Sequence, residues 1–154
     1  MSEIQLYEYD TALMVAKGVL GKIKPLCKDA MIVGGLRRGL AQVHDIDLIA
    51  FPEDHFTMSI ELGNGYKHVL SSKIKHSFKV LGINVEIWLA NTERQFEVLK
   101  LIRTGSAGFN RNLCMAANEK NMSLRYSYKD KLCGLYGAAK AWTKDETTGQ
   151  SREK

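Results

Sequence analysis

An α+β fold is what this sequence predicts: a mixed β-sheet with flanking helices, followed by a small C-terminal α/β lobe. Three observations carry the prediction. Leu13, Ala16, Leu20 and Ile23 recur at helical spacing. Several stretches between residues 31 and 89 alternate apolar and polar residues with the two-residue period of strands. Beyond residue 92 the helical period returns before a last alternating stretch at 122–128. A chain of 154 residues makes one domain, or one domain of two small lobes. The expected divisions are a sheet-containing unit over 1–91, a lobe over 92–143 and a disordered tail over 144–154, which is charged and lacks apolar periodicity.

Taken in order, residues 1–9 are polar and show no helical period. Asp10 can N-cap the first helix, and Pro25 stops it. Met31, Ile32 and Val33 read as a short buried strand running into a Gly34-Gly35 turn. From His44 the phase is that of a strand, with Ile46, Leu48 and Ala50 facing one way, Asp45, Asp47 and Ile49 the other, and Pro52 at its end. Residues 54–62 are ambiguous between helix and strand, and Gly63-Asn64-Gly65 reads as a turn. Residues 67–70 and 75–80 read as strands, the second entering a tight Gly-x hairpin turn at residues 81–84. The strand beyond has Ile83, Val85, Ile87 and Leu89 on one face and Asn84, Glu86 and Trp88 on the other. Thr92-Glu93-Arg94-Gln95 has the form of a capping box, opening a helix with Phe96, Leu99 and Ile102 on its buried side. Ser106 can cap a second helix carrying Phe109, Leu113, Ala116 and Ala117 and ending near Asn121. Residues 129–131 look like a turn into a further short strand.

A formal charge of +5 and a pI of about 9.1 suit a polyanionic partner. Cys27, Cys114 and Cys133 are scattered and odd in number, so neither a zinc site nor a disulfide framework is expected, and reduced thiols in a cytoplasmic protein are. No basic segment precedes a long apolar run at the N-terminus, so neither a signal peptide nor a membrane span is expected.

The chemistry concentrates between Val33 and Ile49. A glycine pair, an arginine pair and a third glycine lead into Asp45 and Asp47. Glycines let backbone approach a ligand, arginines hold phosphates, and paired carboxylates hold hard cations. At i and i+2 of one strand the two carboxylates start roughly 6.5–7 Å apart and can converge on one or two ions from the same side. Asp-x-Asp is common in turns by accident, but here it interrupts an apolar strand, where unpaired aspartates would be costly. Glu86 offers a third carboxylate; the alternative, a solvated charge on an open sheet face, fits its alternation equally. Arg37 and Arg38 read either as a surface basic pair or as one residue facing the site.

Gly34-Gly35-Leu36-Arg37-Arg38-Gly39, five residues, then Asp45-Ile46-Asp47, resembles the palm motif of the family X DNA polymerases, the polymerase β group. A second stretch, Thr104-Gly105-Ser106-Ala107-Gly108-Phe109-Asn110-Arg111-Asn112-Leu113, is similar to that family's Thr-Gly-Ser…Phe-Asn-x-x-Leu/Met. Val85-Glu86-Ile87 falls where the family carries its third catalytic carboxylate. The resemblance covers about residues 10–136. It implies a nucleotidyltransferase palm over 1–91 and a nucleotide-selecting, thumb-like lobe over 92–143. The implied reaction is template-directed addition of dNTPs to a primer 3′-hydroxyl, as in short-gap filling during DNA repair. Two Mg²⁺ ions about 3.5–4 Å apart, replaceable by Mn²⁺, would serve it. Asp45 and Asp47 would bridge both ions and Glu86 would ligate the one at the primer. Gly34 and Gly35 through their backbone and Arg38 through its guanidinium would hold the triphosphate. Gly105 and Ser106 would turn sharply against the sugar, and Asn110 would reach the base edge. Gapped or primer-template DNA would be gripped by Lys73, Lys75, Arg103, Arg111, Lys120 and Arg125, with the protein acting as a monomer.

Four departures from the family pattern carry expectations of their own. Glu86 stands for an aspartate and is one methylene longer, implying slower catalysis or altered metal preference. Gly35 stands where serine is common. Ile102-Arg103 replaces an aromatic pair, which implies altered sugar discrimination, and Cys114 stands where an arginine often reads the template side, which implies low fidelity or odd base preferences. No segment resembling a lyase lobe precedes residue 10, so a palm and small lobe alone are expected, similar to the minimal repair polymerases of some viruses; a viral protein would act in host cytoplasm or virion. Two other functions compete: a minimal nucleotidyltransferase acting on RNA or protein, and a non-catalytic nucleic-acid-binding module with a decayed palm.

Overall fold

Apolar residues surround much of the first helix, and this width decides how it packs. The helix, α1 (Tyr9–Ile23), follows a two-residue strand, β1 (Tyr7–Glu8), in a computed structural model that describes residues 4–105, 107–119, 144–145 and 151–152. Ala12, Val15, Ala16, Val19 and Ile23 are buried, with Leu13 and Leu20 at the margin. The buried stripe is therefore turned slightly from the predicted one, because so broad an apolar surface does not mark its own centre. Glu8 rather than Asp10 occupies the N-cap position; Asp10 lies in the first turn, where its charge favours the helix dipole. Pro25 falls within a single 3₁₀ turn, Lys24–Leu26, directly after the helix.

The fold is α+β, built on a mixed five-stranded sheet. Its strands are β2 (Cys27–Val33), β4 (Asp45–Pro52), β5 (Leu70–Ser71), β6 (Lys75–Val80) and β7 (Ile83–Leu89). Between them lie a one-turn helix, α2 (Gly34–Arg38), a short strand, β3 (Gln42–Val43), and a helix, α3 (His55–Gly65). The spatial order is β2-β4-β7-β6-β5, antiparallel throughout except for the parallel pair β4–β7. β1 and β3 form a separate antiparallel pair that the polar sequence around them does not announce. Ile46, Leu48, Ala50, Val85, Ile87, Leu89 and Phe78 make one sheet face, which packs with the buried stripe of α1 and with Met58 and Leu62 of α3. The opposite face carries Asp45, Asp47 and Glu86 together with the buried Val33 and Ile49.

One local ambiguity is resolved and two local predictions are corrected. Residues 55–62, open between helix and strand, belong to α3, capped by Asp54, whose Oδ2 accepts from the Thr57 N–H (3.2 Å) and hydroxyl (2.6 Å). Those bonds hold the Asp54 carboxyl below its usual range. Gly63-Asn64-Gly65 is not a free turn: it is the last turn of α3, closed by Tyr66 N–H on Leu62 O (2.9 Å), with the Tyr66 ring stacked on Phe78 at 4.5 Å. The hairpin turn is Leu81-Gly82, not Gly-x, with φ of 53° and 82° between the paired residues Val80 and Ile83. Two consecutive left-handed residues make it the type I′ turn that suits strand twist. Of the cysteines, Cys27 is a free thiol that burial, then Glu53 and Asp29, push up to about 11; the side chains of Cys114 and Cys133 lie outside the described residues.

The chain divides into two compact units, Met1–Ala90 and Asn91–Lys154. The second contains α4 (Glu93–Thr104) and α5 (Ala107–Glu119). Thr92 Oγ1 accepts from Gln95 N–H (3.1 Å), while Gln95 Oε1 accepts from Asn91 N–H (2.6 Å), one residue ahead of a reciprocal box. Within the segment expected to be a disordered tail, β8 (Lys144–Asp145) pairs antiparallel with β9 (Ser151–Arg152). Main-chain pairing of this kind leaves no trace in hydropathy. The strand expected at 122–128, the turn at 129–131 and the Ser106 cap lie outside the described residues. Among the described residues no helix is long and apolar enough to cross a membrane.

Candidate active site

Parallel pairing of β4 with β7 sets Asp47 beside Glu86 and Asp45 beside Asn84. Register partners point to the same side of a sheet. The three carboxylates predicted from sequence therefore share one face, away from α1, and all three are half-buried. On the other side of β7, β6 sets Ser77 beside Glu86 and Lys75 beside Trp88.

The polar side chains of this face form a chain of contacts. Glu86 Oε2 accepts from Lys75 Nζ at 3.0 Å. The same ammonium lies 4.7 Å from the centre of the Trp88 ring, within cation–π range. Trp88 Nε1–H in turn points at Asp47 Oδ1, 3.4 Å away. Asp45 Oδ2 has His44 Nε2 at 3.4 Å. Lys75, expected on the DNA side, is thus the immediate partner of a candidate catalytic carboxylate.

The glycine pair has two different reasons to be glycine. Gly34 has φ +71°, and a Cβ there would stand 2.9 Å from Asp47 Oδ2. Backbone and carboxylate are in close approach, so the first glycine serves the site directly. At Gly35 a Cβ would meet Val43 Cγ1 at 2.9 Å and Leu40 Cδ1 at 3.3 Å. Val43 is buried in the core and fills the space that a side chain at this position would need. The predicted turn here is the helix α2, on which Arg37 and Arg38 are exposed.

In the second unit the Thr-Gly-Ser…Phe-Asn stretch holds itself together. A Cβ at Gly105 would collide with the Phe109 ring, and Asn110 Nδ2 donates to Ile102 O at 2.8 Å, tying α5 to the end of α4. Gly105 and Asn110 therefore have structural work apart from any nucleotide. Arg103 is half-buried on α4, Arg111 is exposed on α5, and Lys73 is exposed just before β6. Ser106, Lys120 and Arg125 lie outside the described residues.

Sequence reasoning did not find the roles of Trp88 and His44, or Lys75 as the partner of Glu86. Alternation puts Lys75 and Trp88 on strands, but only the pairing register shows that they meet. As a donor set, three carboxylates on one face suit a hard cation in kind. They are not drawn into a cage: among the described residues no group of three or more His, Cys, Asp or Glu is gathered closely enough to hold a metal ion. Asp45 and Asp47 fit such an ion as neighbours on one strand, whereas one Glu86 oxygen is already committed to an ammonium. No model of a known protein family matches the chain, and no curated protein matches it.

Proposed function

We propose that the protein is a metal-dependent nucleotidyltransferase that adds dNTPs to a primer 3′-hydroxyl under the direction of a template, on short gaps in DNA. The observation that supports it most is the in-register alignment of Asp47 with Glu86, with Asp45 on the same face and Gly34 against the Asp47 carboxylate. Divalent ions, when bound, would supply charge neutralisation and a more acidic primer hydroxyl. Asp45 and Asp47 hold the carboxylate pair for them from one rigid strand. Gly34 lets the backbone pass close to that pair, and Glu86 would accept or pass on the proton of the attacking hydroxyl. Arg38, at the end of α2, meets the triphosphate. The roles of Gly105, Ser106 and Asn110 toward sugar and base rest on the sequence resemblance alone.

The test is incorporation on one-nucleotide gapped DNA, with each dNTP and rNTP, in Mg²⁺ and in Mn²⁺. The expected result is template-matched addition of one nucleotide. Asp47→Asn should slow it by about 10³-fold, the equivalent of several kcal/mol of charge stabilisation. Addition to RNA or protein without a template would favour the minimal nucleotidyltransferase. No incorporation at all, with DNA binding indifferent to Mg²⁺, would favour the non-catalytic module.

A further inference from the structure

Lys75 is placed in the cluster by sheet geometry. It sits opposite Trp88 and diagonally from Glu86, within the reach of a long side chain across neighbouring strands. Both ends of the pair are partly shielded, with side-chain exposures of 36% for Lys75 and 28% for Glu86, and the Trp88 ring gives the ammonium a second stabilising contact. A charge-assisted bond in such a setting is stronger than one at an open surface.

Three carboxylates stand against two ammonium groups on this part of the face, Lys75 and the exposed Lys79 in register with Asn84, a small excess of negative charge that suits one divalent ion before two. A second ion on Glu86 would bind a carboxylate whose Oε2 already accepts from the ammonium at 3.0 Å. A divalent ion sits roughly 2.0–2.6 Å from a carboxylate oxygen, so on either oxygen it would lie close to Lys75 Nζ. Two cations that close repel strongly where water is partly excluded. Each weakens the binding of the other.

We propose that Lys75 is a built-in occupant of the third carboxylate, which makes loading of the site stepwise. The substrate-free protein takes one divalent ion on Asp45 and Asp47 while Lys75 stays on Glu86. A second ion enters at Glu86 only when Lys75 moves off, a change that the negative charge of an arriving triphosphate favours. Lys75 is a positioning residue here, acting through Glu86. The inference rests on the metal-site reading above.

The test is Mn²⁺ binding to the full chain without nucleotide, counting free ion by electron paramagnetic resonance. Wild-type protein should bind one Mn²⁺. Lys75→Met and Lys75→Gln should bind two, or bind the second at least tenfold more tightly, and adding Glu86→Gln should return either to one. Lys75→Arg, which keeps the cation, should behave as wild type. Two variants of unlike shape guard against a folding defect in one, and circular dichroism checks each. Equal stoichiometry and affinity in wild type and both uncharged variants, with binding lost in Asp47→Asn, overturns the Lys75 proposal and leaves the metal site standing. Absence of Mn²⁺ binding from every protein overturns both.

Discussion

At Gly34 a backbone requirement and a site requirement coincide. Its φ of +71° belongs to the left-handed region, and Asp47 Oδ2 occupies the space beside its Cα. Gly34→Ala should cost roughly 1–2 kcal/mol from the backbone alone. It should also push the Asp47 carboxylate out of place, lowering the proposed gap-filling activity by about 10²-fold. Urea melts and single-turnover incorporation measure the two effects separately; activity that fell only in step with folded fraction would contradict the second. Leu81 shows the reverse situation. It adopts φ 53° in the hairpin turn, yet is 78% exposed and so has little packing to lose. Leu81→Asn should raise stability by about 1 kcal/mol, since asparagine tolerates this conformation. A urea midpoint that did not rise would show that Leu81 makes a compensating contact. The two glycines that look equivalent in sequence differ in the fold: Gly34 answers to the carboxylate, Gly35 to a buried valine methyl.

At the scale of elements, the edge pair β5–β6 carries a titratable group. His76 is buried on the helix-covered face, with Nδ1 2.7 Å from Ser71 Oγ. Burial, and then the nearby His55, lower its pKa from the ordinary value of 6.5. The fold therefore favours neutral imidazole, while the unfolded chain protonates at its usual pKa. Stability from this group is complete above pH 6.5 and is lost as pH falls toward the lower folded-state value. The urea midpoint should drop between pH 7.5 and pH 5.5, and His76→Gln should flatten that drop. An unchanged slope in His76→Gln would place the sensitivity elsewhere. Elements with a strong period were legible in the sequence: the strands Lys75–Val80 and Ile83–Leu89 coincide with their alternation. Those decided by caps and anchors were less so. α3 needed the Asp54 cap and the Tyr66–Phe78 stack to continue through two glycines.

Over the whole molecule, the sheet works as a two-sided partition. One face supplies the core with α1 and α3, and the other gathers charge. The sequence by itself determined the α+β class, the strand phases and the short-range sets: the glycine pair, Asp45 with Asp47, and the stretch from Thr104 to Leu113. Each is written in the spacing of neighbours along the chain, which backbone geometry converts directly into direction. Only the tertiary structure decided what those sets meet. Asp47 touches Trp88 across 41 residues of sequence, Glu86 takes Lys75 from the next strand, and Val43 closes the space over Gly35. Cross-strand register arises from pairing between distant segments, and no local period encodes it.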